Sequence, residues 1–170
     1  MIVIVIGLPG SGKTYFAMRY AALSGSVYIG SDQVRREILS TRTYSKDEKT
    51  MVYDQMLGQM IQLAASGKDV VVDATFYLQE FRQKFARAAG AEATVLWIEV
   101  RAALCVIKLR LAGRRMYSDA DFEVYKEIES CWEPFCEPHL ILESTQDNIE
   151  DMLREAENYL IKNHDQRANT

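Results

Sequence analysis

One stretch constrains the fold of this chain more than any other: Gly7-Leu8-Pro9-Gly10-Ser11-Gly12-Lys13-Thr14, which reads G-x-x-x-x-G-K-[ST]. It follows Met1-Ile2-Val3-Ile4-Val5-Ile6, an apolar run with the length and β-branched content of a strand buried on both faces. It precedes residues 15–23, a helical pattern closed by Ser24-Gly25. A chance match somewhere in a chain of this length has a probability of about 1% or less at ordinary glycine usage. The order strand, glycine loop, helix makes the stretch a phosphate cradle, in which backbone N–H groups and a helix N-terminus face an anion. Gly7, Pro9, Gly10, Ser11, Gly12, Lys13 and Thr14 are therefore the expected nucleotide contacts. Lys13 is expected to reach the β- and γ-phosphates, and the Thr14 hydroxyl to ligate Mg²⁺.

The rest of the chain alternates strands with helices. Short apolar runs at residues 26–29, 69–73, 93–100 and 140–142 read as four further strands. Between them lie helical patterns at 33–39, 48–65, 79–89, 101–115, 121–131 and 146–163, with Ser45 and Glu48 spaced as a capping box. A polar tail, 164–170, is expected to fray. This alternation predicts a three-layer α/β/α fold with a five-stranded parallel sheet, and the order 2-3-1-4-5 for its strands is what the resemblance of the glycine loop to phosphate-loop proteins of the kinase type implies. In such sheets the ligand lies beyond the carboxyl ends of the strands. That rule collects the Gly7–Thr14 loop, Ser31-Asp32, Asp73-Ala74-Thr75 and Glu143-Ser144-Thr145 along one edge.

At 170 residues a single domain is expected. The net charge of −4 rules out a general polycation, so any nucleic-acid contact needs a local basic patch. Cys105, Cys131 and Cys136 form no CxxC pair and read as reduced thiols. The apolar start lacks a basic flank and a cleavage site, and no run of about 18 apolar residues follows. A cytoplasmic protein is the expectation, and a homo-oligomer is left open.

Phosphate loops serve several chemistries, and other residues narrow them. No N-K-x-D occurs, against a guanine-specific switch. Asp73 ends an apolar strand as a Mg²⁺-linked acid should, but Ala74 follows where a hydrolytic ring ATPase wants a carboxylate. A kinase needs a carboxylate to orient or deprotonate an acceptor hydroxyl and cations against the moving phosphoryl group. Asp32 is the candidate base; Arg35, at i+3, shares its helix face. From spacing alone, an N-cap at Asp32 with a solvated Arg35 is an equal reading. Residues 101–115 carry Arg101, Lys108, Arg110, Arg114 and Arg115 with no acid among them, as a lid over ATP at about 108–125 would. A solvated helix face is the alternative.

The motifs G-L-P-G-S-G-K-T at 7–14, S-D-Q-V-R-R at 31–36, V-V-V-D-A-T at 70–75 and R-L-A-G-R-R at 110–115 resemble those of the polynucleotide 5′-hydroxyl kinase branch of the P-loop kinases, grouped with zeta-toxin-like ATP-binding proteins. The resemblance implies ATP and Mg²⁺, with Lys13 and Thr14 as phosphate and metal residues and Asp73 as a second acidic, metal-side residue. It makes Asp32 the general base on a 5′-hydroxyl of RNA or DNA, and Arg35 the contact to the neighbouring phosphate. Arg110 falls to the nucleotide, and Arg114 or Arg115 to the transferring phosphoryl group. Tyr44, Tyr77 and Tyr117 could stack on bases. The other readings are a kinase of a sugar, nucleoside or antibiotic, and a non-catalytic ATP-binding regulatory or toxin-type module.

Overall fold

A computed structural model of the chain describes residues 1–41, 43, 45–90, 94–113 and 121–168, the last five as backbone only. The elements run β1 (Ile2–Ile6), α1 (Lys13–Ser24), β2 (Val27–Gly30), α2 (Ser31–Ile38), α3 (Lys46–Ala65), β3 (Val70–Asp73), α4 (Gln79–Ala88), β4 (Val95–Arg101), α5 (Leu104–Ala112), α6 (Phe122–Ser130), β5 (Leu140–Glu143) and α7 (Ile149–Ala168). The five strands form one parallel sheet in the order β2-β3-β1-β4-β5. The fold is thus the expected three-layer α/β with its phosphate loop on the middle strand.

The sheet is buried on both faces because its strands are apolar at odd and even positions alike. Ile2, Ile4, Ile6, Val70, Val72 and Trp97 face a layer built from α2, α3 and α4. Val3, Val5, Val71, Leu96, Ile98 and Val100 face α1 and α7. Register then sets the site: Asp73 lies beside Val5 on one side and Gly30 on the other, one residue before α2 begins.

Three local expectations change. The helix after β4 does not begin at Arg101, which ends the strand opposite Glu143 and donates from Nη2 to Glu99 Oε2 at 2.7 Å. The ladder to β5 carries it, so the run of basic residues is split between strand and helix. Asp32 is not an N-cap: α2 starts at Ser31 behind an extended Gly30 (φ −110°, ψ 135°), which puts Asp32 in the first turn, where the helix dipole favours a carboxylate. The last helix does not end at Asn163, since α7 runs to Ala168 without a glycine or proline to stop it. Ser45 does cap α3, accepting from the Glu48 N–H at 3.2 Å. Among the described residues no helix is long and apolar enough to cross a membrane. Arg114, Arg115, Tyr44 and Tyr117 lie outside the described residues. Of the expected lid, only α5 and α6 are described, joined where Lys108 Nζ sits 5.1 Å from the Phe122 ring centre.

Candidate active site

The loop between β1 and α1 is wedged so tightly that two of its glycines admit no side chain. Gly7 has φ 153°, and a Cβ there would lie 2.4 Å from the Val100 carbonyl oxygen. Gly12 has φ 98°, and its Cβ would meet Ser144 Oγ at 2.8 Å and Arg110 Nη1 at 3.0 Å. Arg110 of α5 braces the loop from behind. Its Nη1 donates to the Gly10 and Ser11 carbonyls at 3.2 and 2.8 Å, and its Nη2 to Ser144 Oγ at 3.0 Å and to the Thr145 carbonyl. With the Ser11 carbonyl turned to Arg110, the trans peptide aims the Gly12 N–H the opposite way. Burial pushes the Arg110 pKa down from the usual guanidinium value.

A cavity of about 640 Å³ opens beside this loop toward the carboxyl end of β5, lined by Lys13, Thr14, Tyr15, Arg110, Thr145 and Ile149 among others. Its walls combine apolar side chains with a few polar groups, the usual make-up of a site for a flat organic ligand. Pro9 lies on the other side of the loop, at a second cavity of about 230 Å³. This one is lined by Asp32 and Arg35 of α2, Lys49 of α3, Thr75 and Tyr77 after β3, and Glu127 and Cys131 at the end of α6. Lys13 lines both.

Asp32 and Arg35 meet as their i,i+3 spacing allows, Arg35 Nη1 donating to Asp32 Oδ1 at 3.0 Å. The Asp32 side chain is 32% exposed and the Arg35 side chain 7%. Arg35 Nε also donates to the buried Glu48 Oε1 at 2.8 Å, and Glu48 Oε2 accepts from the Thr43 N–H and hydroxyl. One cation between two carboxylates, with α3 capped directly above, fixes the rotamer of Asp32 against α2.

Asp73 is buried at the carboxyl end of β3. Its Oδ2 accepts from the Tyr28 hydroxyl at 2.9 Å, and burial beside that carboxylate pushes the Tyr28 pKa up. Its Oδ1 has no hydrogen-bond partner among the described residues. Desolvation pushes the Asp73 pKa up, while the Lys13 charge and the Thr14 hydroxyl lie near enough to oppose the shift. An orphaned carboxylate oxygen next to a hydroxyl fits a hard cation, and above all Mg²⁺. That ion binds through one or two protein oxygens and completes its octahedron with water and phosphate. Among the described residues there is no cluster of three or more His, Cys, Asp or Glu side chains that would hold a metal without such help.

Two residues escape the sequence reading. Lys49 donates from Nζ to the Tyr77 hydroxyl at 2.7 Å, its ammonium 4.3 Å from the ring centre. Nothing in its helical surroundings marks it. Arg82 of α4 is 2% exposed and donates to four carbonyls: Phe76 (2.7 Å), Tyr77 (2.8 Å), Pro134 (3.0 Å) and Glu133. It buckles the loop after β3 to the segment after α6, both of which line the smaller cavity. Phe76, held between Arg82 and the Tyr53 hydroxyl, is the one described non-glycine residue with positive φ, at 49°. The sequence signal for Arg82 was its place between Phe81 and Phe85 on an apolar helix face.

Comparison with known proteins bears on the family and the fold. The family model AAA_33, described as an AAA domain, matches residues 2–134. An uncharacterized protein of Mycobacterium tuberculosis, Rv2004c, is 28% identical over 137 residues, which is 72% of this chain and 28% of that protein. The chain thus spans under a third of the length of that curated relative. A sugar kinase from Janibacter sp. superposes with a TM-score of 0.72 at 16% identity, covering 94% of this chain and 93% of that one. The Mycobacterium tuberculosis APS kinase in complex with AMPPNP and APS superposes with a TM-score of 0.67 at 20% identity, covering 94% and 95%. At these identities the likeness is one of fold, and the fold is that of P-loop kinases.

Proposed function

The chain belongs to the AAA_33 family of AAA domains, and on that premise we propose that it is an ATP- and Mg²⁺-dependent kinase acting on a hydroxyl of a small acceptor. The observation that carries this reading is the meeting of two cavities at Lys13, the larger for the donor nucleotide and the smaller for the acceptor. Transfer needs both ligands aligned on one phosphoryl group, with a cation at the junction and a proton acceptor on the far side.

The acceptor hydroxyl attacks the γ-phosphorus, its proton passes to the Asp32 carboxylate, and the bond from the γ-phosphorus to the bridging oxygen breaks to release ADP. Arg35 holds Asp32 in place for this, and Lys13 meets charge on the β- and γ-phosphates. Gly10, Ser11 and Gly12 offer the loop backbone to the phosphates, and Gly7 and Pro9 shape its entry. Arg110 supports the loop and walls the nucleoside side. Thr14 and Asp73 would hold Mg²⁺, which when bound neutralises phosphate charge. Arg114 and Arg115 are the cations proposed to close over the transferring group, as part of a lid spanning about 108–125 within a single 1–170 domain.

The volume of about 230 Å³, with Glu127 and Cys131 on one wall, favours a sugar- or nucleoside-sized acceptor over a polymer strand. The motif resemblance favours the 5′-hydroxyl of RNA or DNA, so both enter the same assay. Labelled ATP is incubated with a panel of small hydroxyl compounds and 5′-hydroxyl oligonucleotides. Transfer is expected to a small compound, and Asp32→Asn is expected to lower kcat by about 10²–10⁴ while ATP affinity holds. Full ATP-dependent function in Asp32→Asn, with Lys13→Ala inactive, would instead mark a module that binds ATP without catalysis.

A further inference from the structure

The smaller cavity has a charge balance that points to the kind of acceptor it takes. Its lining carries three cations, Lys13, Arg35 and Lys49, and two carboxylates, Asp32 and Glu127. Arg35 is matched by Asp32 and by Glu48 just outside the cavity. Lys13 stands at the junction with the donor site, where phosphates face it. Lys49 is different. Among the described residues no carboxylate lies within 4 Å of its ammonium, although the side chain is half-buried. Among the described residues its one hydrogen-bond partner is the Tyr77 hydroxyl, a neutral group that takes one of its three N–H donors.

The pair is also held stiffly. Lys49 sits in the first turn of α3, directly after the Glu48 that anchors Arg35. The Tyr77 carbonyl accepts from Arg82 Nη2 and from the Glu133 N–H, which fixes the backbone beneath the ring. A half-buried ammonium pre-positioned on an aromatic edge, with two donors unspent, is built to receive an anion.

We propose that Lys49 and Tyr77 form an anion-binding end of the acceptor cavity, so that the substrate carries a carboxylate or phosphate group in addition to the hydroxyl that is phosphorylated. The anion docks at Lys49, the hydroxyl comes to Asp32, and Glu127 is left for the polar groups between. This rests on the kinase reading above, and the experiments separate the two.

Matched pairs of hydroxyl compounds are assayed with the full chain, ATP and Mg²⁺: a polyol, its sugar acid and its sugar phosphate, with a 5′-hydroxyl oligonucleotide alongside. The acid or the phosphate member is expected to be the better substrate, and which of them wins identifies the anion. Lys49→Gln is expected to raise KM for the anionic member about 10–100-fold, with little change for the neutral one, and Lys49→Arg to retain the preference. Binding is read independently of turnover by titrating inorganic phosphate into protein saturated with AMPPNP and Mg²⁺. Phosphate is expected to bind Lys49→Gln at least about 5-fold more weakly than the parent chain. Equal phosphate binding by the two, preference for the neutral member, or oligonucleotides outcompeting every small anion each overturns the proposal. Failure of the protein to bind AMPPNP at all sinks the kinase reading instead, and the phosphate titration without nucleotide still judges Lys49.

Discussion

Replacing Arg82 by Met should loosen the acceptor side of the molecule while sparing the donor side. The four carbonyls that Arg82 binds are not equivalent. Phe76 is fully buried, so its oxygen is stranded when the guanidinium goes, at about 1–3 kcal/mol. Tyr77 is half-buried, and Glu133 and Pro134 are exposed, so those oxygens can take water and lose about 0.5–1 kcal/mol each. The guanidinium carbon also lies 5.6 Å from the Trp132 ring centre and 5.1 Å from that of Phe135, contacts worth about 0.5 kcal/mol apiece. Relaxation of Phe76 from its positive φ offsets about 1 kcal/mol. The net loss is about 2.5–6 kcal/mol, or a Tm lower by about 5–24 °C for a chain of this size. Thermal unfolding measures that loss, and hydrogen exchange should show its source as faster exchange at residues 74–78 and 131–135. Steady-state kinetics should show a higher KM for the acceptor with KM for ATP little changed. A stability loss below about 1 kcal/mol, or a KM for ATP rising in step with that for the acceptor, would refute the buckle.

Two more perturbations test the donor side. Asp73 is buried with its pKa raised, so in the nucleotide-free protein stability should fall as pH rises from the ordinary carboxylate range, about 4, through the raised folded value. Asp73→Asn should flatten that slope and raise Tm near neutral pH, yet lose the extra stabilisation that Mg²⁺ adds to ATP; a pH series of melting curves with and without Mg²⁺·ATP reads both. Gly12→Ala forces a Cβ into a left-handed backbone against Ser144 and Arg110 and should weaken ATP binding at least about 10-fold, as calorimetry with AMPPNP would show.

Much of this was legible in the residues. Five apolar runs, each followed by a helical pattern, point to a parallel sheet, and the resemblance to phosphate-loop kinases supplies the order of its strands. Asp32 and Arg35 could be paired from their i,i+3 spacing because helix geometry is local. What was hidden depends on partners distant in sequence. Arg101 looked like helix because Ala102, Ala103 and Leu104, good helix formers, follow it, and only the ladder to Glu143 keeps it in β4. Arg82 gathers carbonyls from residues 76–77 and 133–134, and no single-sequence pattern pairs those segments. Glu48 reads as half of a capping box, yet its carboxylate turns to Arg35 and Thr43, a choice made by the packing of α2 on α3.

The placement of β1 between β3 and β4 gives the scaffold a division of labour that a protein engineer can use. The walls of the larger cavity come from α1, Arg110, the turn after β5 and the start of α7; those of the smaller come from α2, α3, the turn after β3 and α6. Among the described residues Lys13 alone belongs to both. On the proposed kinase reading, acceptor preference can be rewritten at residues 31–53, 75–77 and 124–131 while the walls of the larger cavity stay untouched. Selection acting on substrate choice meets few of the positions that selection for energy coupling holds fixed. A phosphoryl-delivery half joined to an exchangeable receiving half is a small starting point for new kinases.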